Sequence, residues 1–390
     1  MADTPPRWHA AFDAGRFLAR DWQRRPRLIE RAFPDWQGPL APGELARLAR
    51  DADIESRVVW RAGRDWRLAH GPFSAARLRA LPPRGWTLLV QAVDQHVPAV
   101  RALRDAFRFL PDWRVDDVMA SHAVANGGVG PHYDQYDVFL VQGRGRRRWR
   151  VGARCDARTP LRDHPDLRLL ARFDARHEWI LEPGDVLYLP ARFAHDGVAL
   201  DDDCMTYSVG LRAPSRAELV GHWADHLLQQ DSEDLRYTDA LLDARADPAE
   251  LDSATLARVR ALMRAALDDD AGFDDWFARL VSESKYPRAE TDEPPESVAA
   301  VRARLARGER LGRHPASRFL YLRAPRGAGL TLYVDGEAHV CRGAAARLAL
   351  RLCADTAARL DAQALRAPAA LALATALLAQ QALTWEARGD

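Results

Sequence analysis

Apolar residues recur along this chain of 390 residues in two rhythms, and the passage from one to the other organises it. From Trp113 to about Arg212 nearly every segment keeps the two-residue alternation of strands: RVDDVMASHAVA, YDVFLVQG, RRRWRVG, HEWILEPGD, DVLYLPARFAHDGVAL and CMTYSVGLRAP. Short strands parted by Gly/Pro turns predict a small antiparallel barrel or double sheet. The lead-in mixes both rhythms. FDAGRFLARDWQRRPRLIERAFPDW, from Phe12 to Trp36, predicts a helix and then a short strand after Pro26. Gly43 to Asp51 predicts a short helix with Leu45 and Leu48 on one side, and three β-like pieces follow between Ile54 and Val93. Val100, Leu103, Phe107 and Leu110 then mark a helix over 97–112.

After Pro214 the helical rhythm takes over. Ser215 caps a helix ending near Gln230, with Leu219, Trp223 and Leu227 in one stripe. A second runs from Ala254 to Asp268 with Leu256, Val259, Leu262, Met263 and Leu267, and AGFDDWFARLVSES is a third. Three such helices either close the end of the barrel or form a subunit contact; with few ways to bury their stripes alone, they point to a homodimer. Pro287 to Pro295, polar and Pro-rich, reads as a linker. Beyond it lie a helix from Glu296 to Arg307, the strand RFLYLRA, a hairpin turning at Asp335-Gly336, Ala/Leu helices and a last strand ALTWEAR. That order resembles a winged-helix module. The expected division is a barrel domain with its lead-in over 1–212, a helical dimerisation segment over 213–286, and a winged-helix domain over 296–390.

Composition narrows the class. With 47% hydrophobic and 28% charged residues and no long apolar run, the chain reads as soluble and globular. Its first residues, MADTPPRWHAAFDAGRF, lack the apolar core of a secretory signal. Cys155, Cys204, Cys341 and Cys353 are scattered without metal or disulfide spacing, which suits a reducing cytoplasm. A net charge of +1 gives no global field for nucleic acid, and because Lys285 is the only lysine, the many arginines reflect codon usage before phosphate binding.

The candidate chemistry starts at His132 and Asp134, in GGVGPHYDQYDVFLVQG. Two residues apart at the start of a strand, they point to the same face. His195, after a second β run and its Pro183-Gly184 turn, is the third member of a two-His, one-carboxylate set, which holds Fe(II) and leaves positions open. A hydrogen-bonded surface pair is the plainer reading of His132 and Asp134 alone. His122, His164 and His177 lack partners for such a set, and the pair His222 and His226, one helical turn apart, lacks a third ligand. An open Fe(II) needs a co-substrate that supplies electrons for splitting O2; a 2-oxoacid does so, and its far carboxylate wants a buried cation. Alternation puts Arg147 with Trp149 and Val151, and Arg146, Arg148 and Arg150 on the other face. If the apolar face is interior, Arg147 is that cation; the alternative is a basic hairpin with Arg147 paired to a structural carboxylate, and the residues leave both open. Ser121 shares a face with Asp117 and Met119. Its hydroxyl either completes the carboxylate site or bonds to backbone, and Asp117 would stand toward the pocket mouth.

SHAVANGGVGPHYDQYDVFLVQGRGRRRWRVG, EPGDVLYLPARFAHDGVA and YSVGLRAP together resemble the bacterial ribosomal oxygenases, 2-oxoglutarate-dependent hydroxylases of the JmjC group of cupins. The resemblance extends through FLARDWQRRPRLIERAFPDW and spans essentially the whole chain. It implies an α+β protein: a JmjC double-stranded β-helix barrel, a helical dimerisation segment and a C-terminal winged helix. It implies His132, Asp134 and His195 as ligands of Fe(II), with Arg147 on the distal carboxylate of 2-oxoglutarate, assisted by Ser121, and O2 as second co-substrate. The implied substrate is an arginine side chain of large-subunit ribosomal protein L sixteen. Such a side chain suits an acidic, aromatic-lined entry, for which Asp117, Met119 and Tyr136 are candidates and Asp137 is turned away. Two alternatives stand beside this reading: the same chemistry on a histidine or lysine, and a non-catalytic cupin whose winged helix binds nucleic acid. Loss of a triad residue or of Arg147 would favour the last, and neither is lost. Arg342, Arg347 and Arg351, set among Ala and Leu, make no basic recognition-helix cluster.

Overall fold

A computed structural model describes residues 6–63, 65–230, 236–238, 251–267, 270–286, 294–324, 327 and 329–386. The chain divides into two units, Met1–Ala213 and Pro214–Asp390. The first runs α1 (Ala14–Arg20), β1 (Arg27–Ile29), α2 (Pro42–Leu48), β2 (Ser56–Ala62), β3 (Asp65–His70), α3 (Ala75–Arg79), β4 (Trp86–Val90) and α4 (Pro98–Asp105). The strands β5 (Val115–Ala123), β6 (Val138–Arg144), β7 (Arg147–Arg154), β8 (His177–Leu181), β9 (Val186–Leu189), β10 (Phe193–Ala199) and β11 (Cys204–Leu211) complete it. Local chemistry sets these bounds: Asp13 and Ser74 accept from the first-turn amides of α1 and α3, and prolines open α2 and α4.

Among the described residues, one eight-stranded sheet has the order β1-β9-β6-β11-β5-β4-β2-β3, and a three-stranded sheet, β10-β7-β8, faces it. The pairs given for both sheets are antiparallel. Alternation sends side chains of the large sheet to two cores. Val118, Ala120, Phe139, Val141, Val186, Tyr188 and Tyr207 pack outward under the helical lead-in, where Trp8, Phe12, Phe17 and Phe107 form an aromatic cluster. Val138, Leu140, Leu187 and Leu189 turn the other way and meet Trp149, Val151 and Leu181 of the small sheet. That second core is the barrel interior. Burying each of these aliphatic or aromatic side chains contributes about 1.5–3 kcal/mol, so the register that sorts the two faces is strongly selected.

The second unit holds α5 (Arg216–Gln230), α6 (Ser253–Leu267), α7 (Asp270–Ser282), α8 (Val298–Ala306), β12 (Leu311–Arg313), β13 (Phe319–Arg323), β14 (Gly329–Val334), β15 (Glu337–Arg342), α9 (Gly343–Ala354), β16 (Arg359–Leu360), α10 (Pro368–Ala379) and β17 (Leu383–Trp385). Asp335 and Gly336, both at positive φ, make the tight turn between β14 and β15. Helix α7 packs on that hairpin: the Tyr333 hydroxyl donates to Asp275 at 2.7 Å, and the Gly336 amide donates to the Ser282 hydroxyl at 3.1 Å. The helical segment drawn from the sequence is therefore continuous at α7 with the C-terminal module. Of the proposed linker, 287–293 lie outside the described residues. Trp223 of α5 is buried against Phe273 and Trp276 of α7, whereas Val259, Met263 and Leu267 of α6 are exposed. No helix among the described residues is long and apolar enough to cross a membrane.

Candidate active site

His132, Asp134 and His195 converge, each offering a ligand atom within 4.8 Å of the others. They do so by a route that differs from the expected strand. Only His132 pairs, in an isolated antiparallel bridge with His195, and regular structure resumes at Val138. Pro131 has no amide to give a ladder and Gly130 turns at φ +83°, so the segment enters from a loop. Its backbone is nonetheless held at each step. Pro131 O accepts from the Leu170 amide at 2.8 Å, His132 and His195 exchange amide–carbonyl bonds at 3.0 and 2.8 Å, and Asp134 O accepts from the Arg192 amide at 2.7 Å.

The imidazoles are held by their own neighbours. His132 Nδ1 lies 2.8 Å from Gly130 O and His195 Nδ1 2.9 Å from Phe193 O. A carbonyl only accepts, so each Nδ1 carries a proton, and Nε2 is the ring atom each histidine can offer to a metal. His195 Nε2 stands 3.5 Å from Asp134 Oδ2. Burial, then the adjacent His132 ring, push the His195 imidazole down to about 4 against the pull of Asp134, which keeps it neutral and ligating at ordinary pH. The donor set fits a divalent metal of borderline character: two imidazole nitrogens, one carboxylate, and Nδ1–H bonds that fix ring orientation.

Arg147 shares a face with Trp149 and Val151, as alternation predicts, and that face is the interior, which alternation left open. It is 5% exposed, beside Trp149 and Val151, and its cross-strand partner on β10 is Ala199. Its Nε and Nη2 are buried without hydrogen-bond partners, and no ion pair holds it among the described residues. The structural-carboxylate alternative therefore has no support. Its guanidinium carbon lies 5.7 Å from the Trp149 ring, whose centroid is 5.9 Å from His195. Trp149 thus neighbours both the buried cation and a triad imidazole. Gly197, opposite Trp149 in the register, leaves room for that ring: a Cβ there would meet it at 2.6 Å.

Ser121 is buried on the same interior surface, and its hydroxyl donates to Thr206 O at 3.3 Å. It can serve an anion only by turning away from that carbonyl. Asp117 is 3% exposed, deeper than the mouth position expected of it, and both its oxygens accept from Gln91 Nε2, at 3.0 and 2.9 Å. Met119, half-buried, receives a weak contact from the Arg57 guanidinium at 3.8 Å. Tyr136 is 43% exposed, and the Asp134 carboxylate, ahead of burial, holds its hydroxyl above the usual phenol range. Asp137 is turned away, accepting from the Tyr188 hydroxyl and Gln23. The competing histidines are engaged elsewhere: His122 with Asp202 O, His164 with Trp66 O, His226 stacked on Trp223.

Sequence reasoning missed Gln91, Arg57 and Gly197. Alternation from His195 reaches Gly197 directly. Gln91 and Arg57 carry no local signal, because strands distant in sequence bring them in.

The chain matches a JmjC domain over residues 102–219 and a ROXA-like winged helix over 265–384. The Escherichia coli (strain K12) ribosomal protein uL16 3-hydroxylase is 39% identical over 325 residues, covering 82% of this chain and 84% of that protein. A probable ribosomal oxygenase of Haemophilus influenzae is 36% identical over 337 residues, with 82% and 80% covered. The structure of E. coli YcfD superposes with a TM-score of 0.86 at 35% identity, covering 97% of this chain and all of that one. The same ribosomal oxygenase in complex with cobalt and 2-oxoglutarate gives 0.84, also at 35% identity and with the same coverage. On this footing the chain belongs to the ribosomal oxygenases, JmjC proteins that carry a C-terminal winged helix.

Proposed function

We propose that the chain is an Fe(II)- and 2-oxoglutarate-dependent dioxygenase that hydroxylates an arginine side chain of ribosomal protein uL16. The observation that carries the chemistry is a metal-ready triad beside Trp149, which also neighbours a buried arginine with no anionic partner among the described residues. His132, Asp134 and His195 would hold the iron. Arg147 would take the far carboxylate of 2-oxoglutarate, with Ser121 assisting. Bound iron supplies the oxidation, in which 2-oxoglutarate and O2 yield succinate, CO2 and one hydroxyl on the substrate. The chain's own residues do the rest. Gly130 and Phe193 carbonyls fix the ligand tautomers, Trp149 and the aliphatic core keep water out, and Arg147 orients the co-substrate.

The substrate follows from the uL16 3-hydroxylase relative and from the acidic, half-open group of Asp117, Met119 and Tyr136. A ribosomal-protein substrate suits a cytoplasmic enzyme. The exposed apolar residues of α6 support a homodimer through the helical segment. No observation favours nucleic-acid contact by the winged helix over this assignment.

Anaerobically purified protein loaded with Fe(II) and 2-oxoglutarate should convert a uL16 peptide to a product one oxygen atom heavier, with matching succinate. The absence of both would overturn the reading. His132→Ala should lose turnover together with metal binding measured by calorimetry.

A further inference from the structure

Gln91 follows β4 directly, and its amide donates to Glu55 O at 2.9 Å, so its backbone is fixed. Its side-chain nitrogen bonds both oxygens of buried Asp117, at 3.0 and 2.9 Å. An ionised carboxylate accepts and never donates, so the amide orientation is forced. The nitrogen must face Asp117 and the carbonyl Oε1 must face away. Among the described residues that oxygen receives no hydrogen bond, although Gln91 is only half-buried and one strand removed from the interior face bearing Met119 and Ser121.

We infer that Gln91 is a specificity residue of the substrate pocket, holding Asp117 in place and offering Oε1 as a second acceptor beside it. This rests on the reading of Asp117 as a substrate contact. A carboxylate and a carbonyl side by side match the planar fork of a guanidinium, which presents several N–H donors in fixed directions. A lysine ammonium satisfies the carboxylate and gains little from the added acceptor. The pair therefore selects arginine over lysine.

The test uses the full chain with Mn(II) and an inert 2-oxoglutarate analogue, so that peptide affinity is read by calorimetry without turnover. Gln91→Leu should weaken a uL16 arginine peptide about tenfold, the scale of one hydrogen bond to a charged group. It should weaken the matching lysine peptide far less, and leave the Kd of 2-oxoglutarate unchanged. Equal loss for both peptides, or no loss for arginine, would overturn the inference. Asp117→Asn separates the two levels. If it leaves both peptides unaffected, the pocket reading itself fails; if it weakens both while Gln91→Leu does nothing, only the role of Gln91 falls. Should the leucine variant not fold, Gln91→Met, of equal length, carries the same expectation.

Discussion

Arg147→Met should stabilise the protein without co-substrate and cripple it with co-substrate. The guanidinium is 5% exposed, and its Nε and Nη2 have no acceptor. Each unmade bond costs about 1–3 kcal/mol, and the cation–π contact with Trp149 returns about 0.5–2 kcal/mol. Methionine has similar length, suits the apolar wall and removes both orphan donors. A gain of roughly 1–4 kcal/mol is expected, by analogy with buried charges replaced by apolar side chains. At roughly 2–4 °C per kcal/mol for a domain of this size, Tm should rise by about 2–16 °C. The same change deletes the only cationic partner proposed for the distal carboxylate, leaving Ser121 alone. Truncating one side of a buried charge pair costs about 2–5 kcal/mol, so 2-oxoglutarate affinity should fall about 30-fold to several thousand-fold. The assay is thermal unfolding of wild type and variant, each with Mn(II), across a 2-oxoglutarate titration. Wild-type Tm should climb with ligand, and the variant should start higher and stay flat. A variant less stable than wild type without co-substrate would refute the reasoning, because it would show that Arg147 already has a structural partner.

Other predictions follow from specific contacts. Gly197→Ala places a methyl 2.6 Å from the Trp149 ring, with the ring already packed against Val151 and Leu181. Overpacking of about 1–3 kcal/mol should lower Tm by roughly 2–12 °C and weaken 2-oxoglutarate more than metal; an unchanged Tm would show that the ring moves freely. Tyr333→Phe removes the bond to Asp275 that ties α7 to the β14–β15 hairpin, worth about 0.5–1.5 kcal/mol. Amide exchange in α7 should quicken while the barrel strands keep their protection, and equal exchange in α7 before and after substitution would speak against the tie.

The barrel was legible because period-two alternation and Gly/Pro punctuation are local, and because a core on each face of the large sheet leaves one register for each strand. The same alternation grouped Arg147, Trp149 and Val151 as one row on β7 and left open whether that row faced inward. It went astray at His132. Alternation brought His132 and Asp134 to one face, which is where they lie, but the cause is a bridged loop and not a regular strand. Pro131 withholds an amide and Gly130 bends the chain, so the segment is held residue by residue: Pro131 by the Leu170 amide, His132 by His195 and Asp134 by Arg192. Those partners come from two distant places in the chain, Leu170 and the stretch from Arg192 to His195, and nothing near His132 in sequence announces them.

The same distinction explains what a sequence reader can and cannot assign in the pocket. Residues proposed to serve the metal and the distal anion lie on β5, β7 and β10 or on the loop ahead of β6, all inside the alternating block. The residues that would read the substrate come partly from outside it: Gln91 after β4, Arg57 on β2, joined to Asp117 and Met119 only through cross-strand register. In an eight-stranded sheet extended by β4, β2 and β3, the barrel contributes the oxidising chemistry and the added strands contribute groups beside the opening. Selectivity for the target side chain can therefore change through β2 and β4 with the triad untouched. That separation predicts that substitutions at Arg57 and Gln91 shift peptide preference, while metal and 2-oxoglutarate affinities, which would be set by His132, Asp134, His195 and Arg147, stay where they are.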